Sequence, residues 1–213
     1  RSRQPVATVT IIALCVLSFV LQNALPFDAW TGRWVFTPWI ADVQPYRFLT
    51  TAFLHSNSIF HIAFNMYALW MVGPILERLL GIGRFVSLYV LTAIAGSVGY
   101  LLFASPTSAS WVTIVPGASG AIFGLFGAFM VVLRRFDASS TQLYAVIGIN
   151  FALGFILPGI AWQAHLGGFV VGVIMGAGYA YAPRERRTPW AFAIPVLTAA
   201  VLAAAAIVKY AAV

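Results

Sequence analysis

Apolar positions along this chain come in long blocks, with prolines, arginines and other polar residues gathered between them. The blocks run Val6–Leu25, Ser58–Leu76, Phe85–Ala104, Gly117–Leu133, Thr141–Leu157, Trp162–Ala182 and Trp190–Ala212. Each approaches the roughly 20 mostly apolar residues that carry a helix across a bilayer, so the pattern predicts seven transmembrane helices. The seventh block is alanine-rich, with Pro195 in its first turn. Between the first two lies Pro26–Asn57, broken by Pro38 and Pro45. Its Trp30, Trp34, Phe36 and Trp39 predict a loop lying in the membrane interface, where aromatic rings are favoured.

Composition supports the same class. Hydrophobic residues fill 62% of 213 positions and charged residues 8%, against about 25% charged in a soluble domain. Such a chain cannot cover a water-facing surface, and the reading is an all-α polytopic membrane protein in the lipid bilayer. The net charge of +7 comes from basic residues scattered in pairs between apolar runs, which excludes a nucleic-acid partner. The opening "RSRQP" lacks a methionine and reads as a trimmed chain. Without a small-residue cleavage site, the first block reads as a retained anchor rather than a signal peptide. Cys15 is the one cysteine, so neither an intrachain disulfide nor a cysteine metal site is expected.

The arginines orient the chain. Arg1, Arg3, Arg78, Arg84, Arg134, Arg135, Arg184, Arg186 and Arg187 occupy alternate connections, while Arg33, Arg47 and Lys209 fall on the other side. This asymmetry places the amino terminus in the cytoplasm, and the even-numbered spans then start at the outer face.

Polar side chains inside apolar blocks are costly and mark function by default. His61 and Asn65, four apart, share one face at the head of span two. Ser119 stands at the head of span four and His165 at the head of span six. All four belong at one depth, near the outer face. Span six carries Gly168, Gly172 and Gly176, and span four Gly120, Gly124 and Ala128, an interval that lets backbones approach closely. Pairing those faces would bring Ser119 and His165 into hydrogen-bond reach.

A serine hydroxyl attacks when an adjacent base takes its proton, and His165 can serve as that base. Asp28, Asp42, Glu77, Asp137 and Glu185 all lie away from the outer ends of these spans, so the set reads as a Ser–His dyad, with Phe123 holding the imidazole by stacking. His61, the Asn65 amide and the unpaired N–H groups at the head of span four are the candidate donors to an oxyanion.

These residues resemble the rhomboid intramembrane serine proteases, through "YRFLTTAFLH" (Tyr46–His55), "HIAFNMYALW" (His61–Trp70), "ERLLG" (Glu77–Gly81), "GASG" (Gly117–Gly120) and "AHLGGFVVG" (Ala164–Gly172), in the family's order. The resemblance covers about Val6 to Ala182. It implies a rhomboid-like six-helix transmembrane bundle over residues 1–182, with a cytoplasmic loop and a seventh C-terminal helix over 183–213. It further implies Ser119 as nucleophile, His165 as base, His61 and Asn65 as the oxyanion hole, no cofactor, and membrane-protein substrates cut in their transmembrane segments near the extracytoplasmic face, in a bacterial plasma membrane. Water would arrive through an outward-opening cavity, and substrate laterally past span five, near Pro158–Ala161. The chain departs from the family at Tyr46-Arg47, often Trp-Arg, and at Phe123, often Tyr. Phenylalanine keeps the stacking face and loses a hydroxyl.

The remaining polar residues have plainer readings. His55 is expected to be a structural hydrogen-bonder, Asn150 to bond to a neighbouring helix, and Glu77 with Arg78 to anchor the cytoplasmic end of span two. Three histidines without an HExxH-like cluster predict no metal site. A silent relative that retains transmembrane clients, and a channel or transporter, are the rival classes. The presence of both serine and base speaks against the first. The spans' lack of a buried carboxylate or lysine speaks against the second.

Overall fold

Among the described residues, seven long helices follow one another: α1 (Val6–Ala24), α2 (Ile59–Leu80), α3 (Ile82–Phe103), α4 (Ala118–Arg135), α5 (Thr141–Ile156), α6 (Trp162–Tyr181) and α7 (Arg187–Ala211). The structure is a computed structural model that describes residues 4–138, 141–156, 159–183, 185 and 187–213, without the side chains of 150, 153–155 and 187. Arg1, Arg3, Arg184 and Arg186 of the charge pattern, Pro158 of the expected access route and the side chains of Asn150 and Arg187 therefore lie outside the described residues.

Six of the seven are long and apolar enough to cross a bilayer, and the chain is an integral, multi-pass membrane protein of all-α fold. The exception is α5. Its 16 residues span about 24 Å at 1.5 Å per residue, short of the roughly 30 Å hydrocarbon core. Seven crossings were expected; among the described residues six helices meet that length and α5 covers 16 residues.

The packing inverts the soluble pattern, because lipid already solvates large apolar side chains. Along α1 the buried stripe is Ala7, Thr8, Ile11, Cys15 and Ser18, while Val9, Leu14, Val16, Leu17 and Val20 face outward. Along α2 the outward face is Phe60, Phe64, Tyr67, Trp70 and Met71. Small and polar residues meet protein, where close approach and hydrogen bonds are the available attractions.

Helices α3, α4 and α6 form the centre, and α7 is the least enclosed, lying on α3 and α6. Glycines set the distances. A Cβ on Gly168 would run into the carbonyl oxygen of Gly120, one on Gly172 into that of Gly124, and one on Gly176 would lie 2.7 Å from the Cα of Ala128. The two small-residue series thus pair position for position. Across the third helix, a Cβ on Gly96 would lie 3.1 Å from the Cα of Gly120.

One sequence expectation changes here: the spans were expected to lack a buried carboxylate, and Glu77, in the last turn of α2, is 5% exposed. Its carboxylate accepts the N–H groups of Ala7 (2.9 Å) and Thr8 (2.8 Å) and the Thr8 hydroxyl (2.7 Å). It therefore caps the first turn of α1, whose N–H groups lack intrahelical acceptors, and a negative group there also complements the helix dipole. The spans do hold a buried carboxylate. Arg78 instead bonds its own helix, Nε to the Pro74 carbonyl at 3.0 Å.

The segment between α1 and α2 is more helical than its prolines suggest, with short turns at Phe27–Ala29, Thr31–Trp34, Pro38–Ala41, Arg47–Thr50 and Thr51–Phe53. Arg47, 6% exposed, ties them together, donating to Gln44 Oε1 (2.7 Å) and to the carbonyls of Gly32 (2.8 Å) and Val35 (2.7 Å).

Candidate active site

The approach to α4 is clamped by that segment. Val115 N–H donates to the Phe36 carbonyl (2.9 Å), the Thr51 hydroxyl to the Val115 carbonyl (2.6 Å), and Gly117 N–H to the Thr51 carbonyl (2.9 Å). Gly117 has no room for a side chain, since a Cβ would lie 2.6 Å from Thr51 Cγ2. The chain then turns into helix at Ala118, which puts Ser119 in the first turn with its hydroxyl half-buried at the helix end.

His165 sits one turn into α6 and is buried. Its Nε2 lies 2.9 Å from Ser119 Oγ, a contact made across the glycine seam of α4 and α6. Its Nδ1 is buried without a hydrogen-bond partner among the described residues. If Nε2 accepts the serine proton, the imidazole proton rests on Nδ1, and among the described residues no third polar group orients this ring. An aromatic face does. Phe123, one turn along α4 from Ser119, stacks on the ring with centroids 4.1 Å apart and planes 8° from parallel. Phe151 of α5 packs edge-on against Phe123 (4.9 Å, 74°) and His165 (6.5 Å, 80°).

On α2, Asn65 is 3% exposed and its Nδ2 donates to the His61 carbonyl at 2.8 Å. One of the two amide hydrogens is thereby committed within the helix, and the other is left for a ligand. His61 Nδ1 receives the Ser56 backbone N–H at 3.1 Å and lies 2.9 Å from Ser56 Oγ. In the first turn of α4, Gly120 N–H bonds back to the Gly117 carbonyl (3.0 Å), while the Ser119 N–H stands where the helix offers no acceptor. Ser119 and His165 thus meet at the heads of α4 and α6, and His61 and Asn65 lie in the first two turns of α2.

His55 departs from its expected part. The residue is 1% exposed, and among the described residues neither ring nitrogen makes a well-formed hydrogen bond. The ring instead packs edge-on against Phe19 (6.4 Å) and His61 (5.8 Å). Burial first, then the neighbouring His61, push its pKa down to about 4, against a smaller opposing effect of the Phe53 carbonyl. The His55 main chain makes the hydrogen bonds, paired in both directions with the Gln22 side chain (2.9 and 3.1 Å).

Sequence reasoning passed over Phe151, Thr51 and Ser56. Phe151 is one aromatic in an apolar block and carried no signal. Thr51 meets Val115 across 64 positions of sequence. Ser56, five residues before His61, lay in the polar run "HSNS", which was the one available hint. A groove of about 360 Å³ lies elsewhere, between Asp42 and Phe48 of the loop and Leu202 and Tyr210 of α7, and neither Ser119 nor His165 lines it.

Comparison with known proteins bears on this arrangement. A family model described as the rhomboid domain matches residues 42–182. The chain is 37% identical over 143 residues to "Rhomboid protease GluP" of Bacillus subtilis, covering 65% of this chain and 27% of that protein. It is 33% identical over 165 residues to "RHOMBOID-like protein 1" of Arabidopsis thaliana (71% and 40%). With "Rhomboid-type serine protease 2" of Emericella nidulans it shares 33% identity over 151 residues (68% and 29%). The chain thus spans less than half the length of these relatives. The matched residues hold the part of the loop from Asp42 onward, α2 to α6 and Ser119, His165, His61 and Asn65, and with them the chain belongs to the rhomboid family.

Proposed function

We propose that this protein is a serine endopeptidase that cuts transmembrane segments of other membrane proteins, with Ser119 as nucleophile and His165 as base. The observation that carries this is the 2.9 Å contact between Ser119 Oγ and His165 Nε2. Family membership supports it, as do the words protease and serine protease in the names of two relatives.

The chemistry runs through groups already in place. His165 Nε2 takes the serine proton as Oγ bonds to the substrate carbonyl carbon. The carbonyl oxygen becomes an oxyanion, faced by His61, the second amide hydrogen of Asn65 and the Ser119 N–H. The intermediate then collapses. The C–N bond breaks, His165 returns the proton to the leaving amine, and an acyl ester stays on Ser119. Water, deprotonated by the same imidazole, hydrolyses that ester.

The arginine asymmetry puts this end of the bundle at the extracytoplasmic face and the amino terminus in the cytoplasm, in a bacterial plasma membrane. Substrate helices with local breaks unwind there and reach Ser119 past α5, which packs thinly on α4 and α6. Residues 1–182 form the catalytic core; the loop and helix of 183–213 are an appendage, consistent with the exposure of α7.

The test uses a reporter with one transmembrane segment, incubated in detergent or liposomes with wild type, Ser119→Ala and His165→Ala. Wild type should cut within the segment and take a fluorophosphonate label. Loss of the nucleophile or base should lower turnover by about four orders of magnitude or more. A label that persists in Ser119→Ala, or cleavage that survives either substitution, refutes the assignment.

A further inference from the structure

His61 Nδ1 lies 3.1 Å from the backbone N–H of Ser56 and 2.9 Å from Ser56 Oγ. A main-chain N–H has no lone pair to offer and can only donate. Nδ1 must therefore be the acceptor, and in a neutral imidazole the one ring proton then resides on Nε2. The Ser56 hydroxyl, facing the same lone pair, donates as well. The other tautomer would set two N–H groups against each other.

The donor is itself held in place. Ser56 follows His55, whose N–H and carbonyl are both bonded to the Gln22 side chain of α1 (3.1 and 2.9 Å). The His55 ring packs edge-on against the His61 ring, 5.8 Å between centroids and 64° between planes. Ring position and proton position at His61 are thus both set from the segment that links α1 to α2.

We propose that Ser56 is a positioning residue. Its main-chain N–H locks His61 in the Nε2–H tautomer, and this makes the free edge of the ring a hydrogen-bond donor rather than a lone pair. The inference rests on the assignment of His61 as an oxyanion donor above. A lone pair facing a developing oxyanion would raise the barrier that a donor lowers, so the tautomer decides the sign of this residue's contribution.

The experiment is nitrogen NMR of the full chain in detergent micelles with ¹⁵N-labelled histidine, the His61 signals assigned by their loss in His61→Gln. The expected result is an unprotonated Nδ1 and a proton directly bonded to Nε2; a proton on Nδ1 overturns the proposal. Ser56→Ala, which keeps the main-chain N–H, should retain the tautomer and lose about fivefold in kcat, the worth of one ordinary hydrogen bond. Ser56→Pro, which removes the N–H, should populate both tautomers and lower kcat by about 10²-fold with KM held within about twofold, the size of a lost oxyanion donor. Retention of the single tautomer in Ser56→Pro, or an effect confined to KM, also overturns it. If Ser56→Pro does not fold, the wild-type spectrum still decides. Fluorophosphonate labelling of Ser119 separates the two levels. Labelled wild type with a proton on His61 Nδ1 sinks only this proposal, whereas unlabelled wild type sinks the dyad assignment, whatever the tautomer.

Discussion

Phe123 lies flat against His165, ring on ring at 4.1 Å and 8°, while the inner nitrogen of that imidazole touches no polar group among the described residues. The imidazole is held by an aromatic face rather than by a carboxylate. A stacked pair is worth about 0.5–1.5 kcal/mol beyond its buried area, and it fixes the ring plane without adding charge. Phe123→Ala should lower kcat by about tenfold with little change in KM, and Phe123→Tyr should stay near wild type. Steady-state cleavage of the reporter reads both; an inactive Phe123→Tyr would mean that the site does not tolerate a hydroxyl at this position.

The glycine seam sets the distance between Ser119 and His165. A methyl group on Gly172 would meet the Gly124 carbonyl, so Gly172→Ala must push α4 and α6 apart. Overpacking of this kind costs about 1–3 kcal/mol, and a shift of about 1 Å at a reacting pair can cost 10²-fold in rate. The expected outcome is lower thermal stability together with about 10²-fold slower cleavage. Gly83→Ala, where an added Cβ meets nothing within 4 Å, is the control and should leave both unchanged.

Stability and catalysis separate at Glu77. It lies 16 residues along α2 from His61, about 24 Å at helical rise, and holds the head of α1 through three hydrogen bonds. Glu77→Ala leaves those donors buried and unpaired, at a cost of about 2–4 kcal/mol. Denaturant unfolding in micelles should show that loss. Cleavage per molecule of folded, fluorophosphonate-reactive protein should be unchanged; a fall in that specific rate would contradict the separation.

Acid should loosen the same loop through His55. Its folded pKa of about 4 lies below the ordinary value near 6.5, so between these limits the unfolded chain binds the proton and the folded chain does not. Stability from this group is therefore intact above about pH 6.5, falls as pH drops, and levels off below about pH 4. The span of about 2.5 pH units corresponds to about 3 kcal/mol. Unfolding followed from pH 7 to pH 4 should show that decline in wild type and a flatter profile in His55→Leu.

Much of this protein is legible in its amino-acid sequence. Long apolar blocks in a chain with 8% charged residues admit little besides transmembrane helices, because every backbone polar group in lipid must be paired within its own segment. Ser119, His165, His61 and Asn65 stood out for the same reason: hydrocarbon makes each isolated polar side chain conspicuous. Even the pairing of Gly120 with Gly168 and Gly124 with Gly172 was implicit in the matched four-residue spacing.

Tertiary structure decided what spacing leaves open. Glu77 was placed outside the membrane block because a carboxylate normally ends an apolar run; only the docking of α1 onto α2 supplies the three donors that make its burial affordable. The proton position on His61 depends on a main-chain N–H at Ser56, and the height of Ser119 on a Thr51 carbonyl. Backbone groups are identical at every residue apart from proline. Their use therefore leaves no mark on the amino-acid letters, and becomes visible only when the folded chain brings a particular N–H to a particular lone pair.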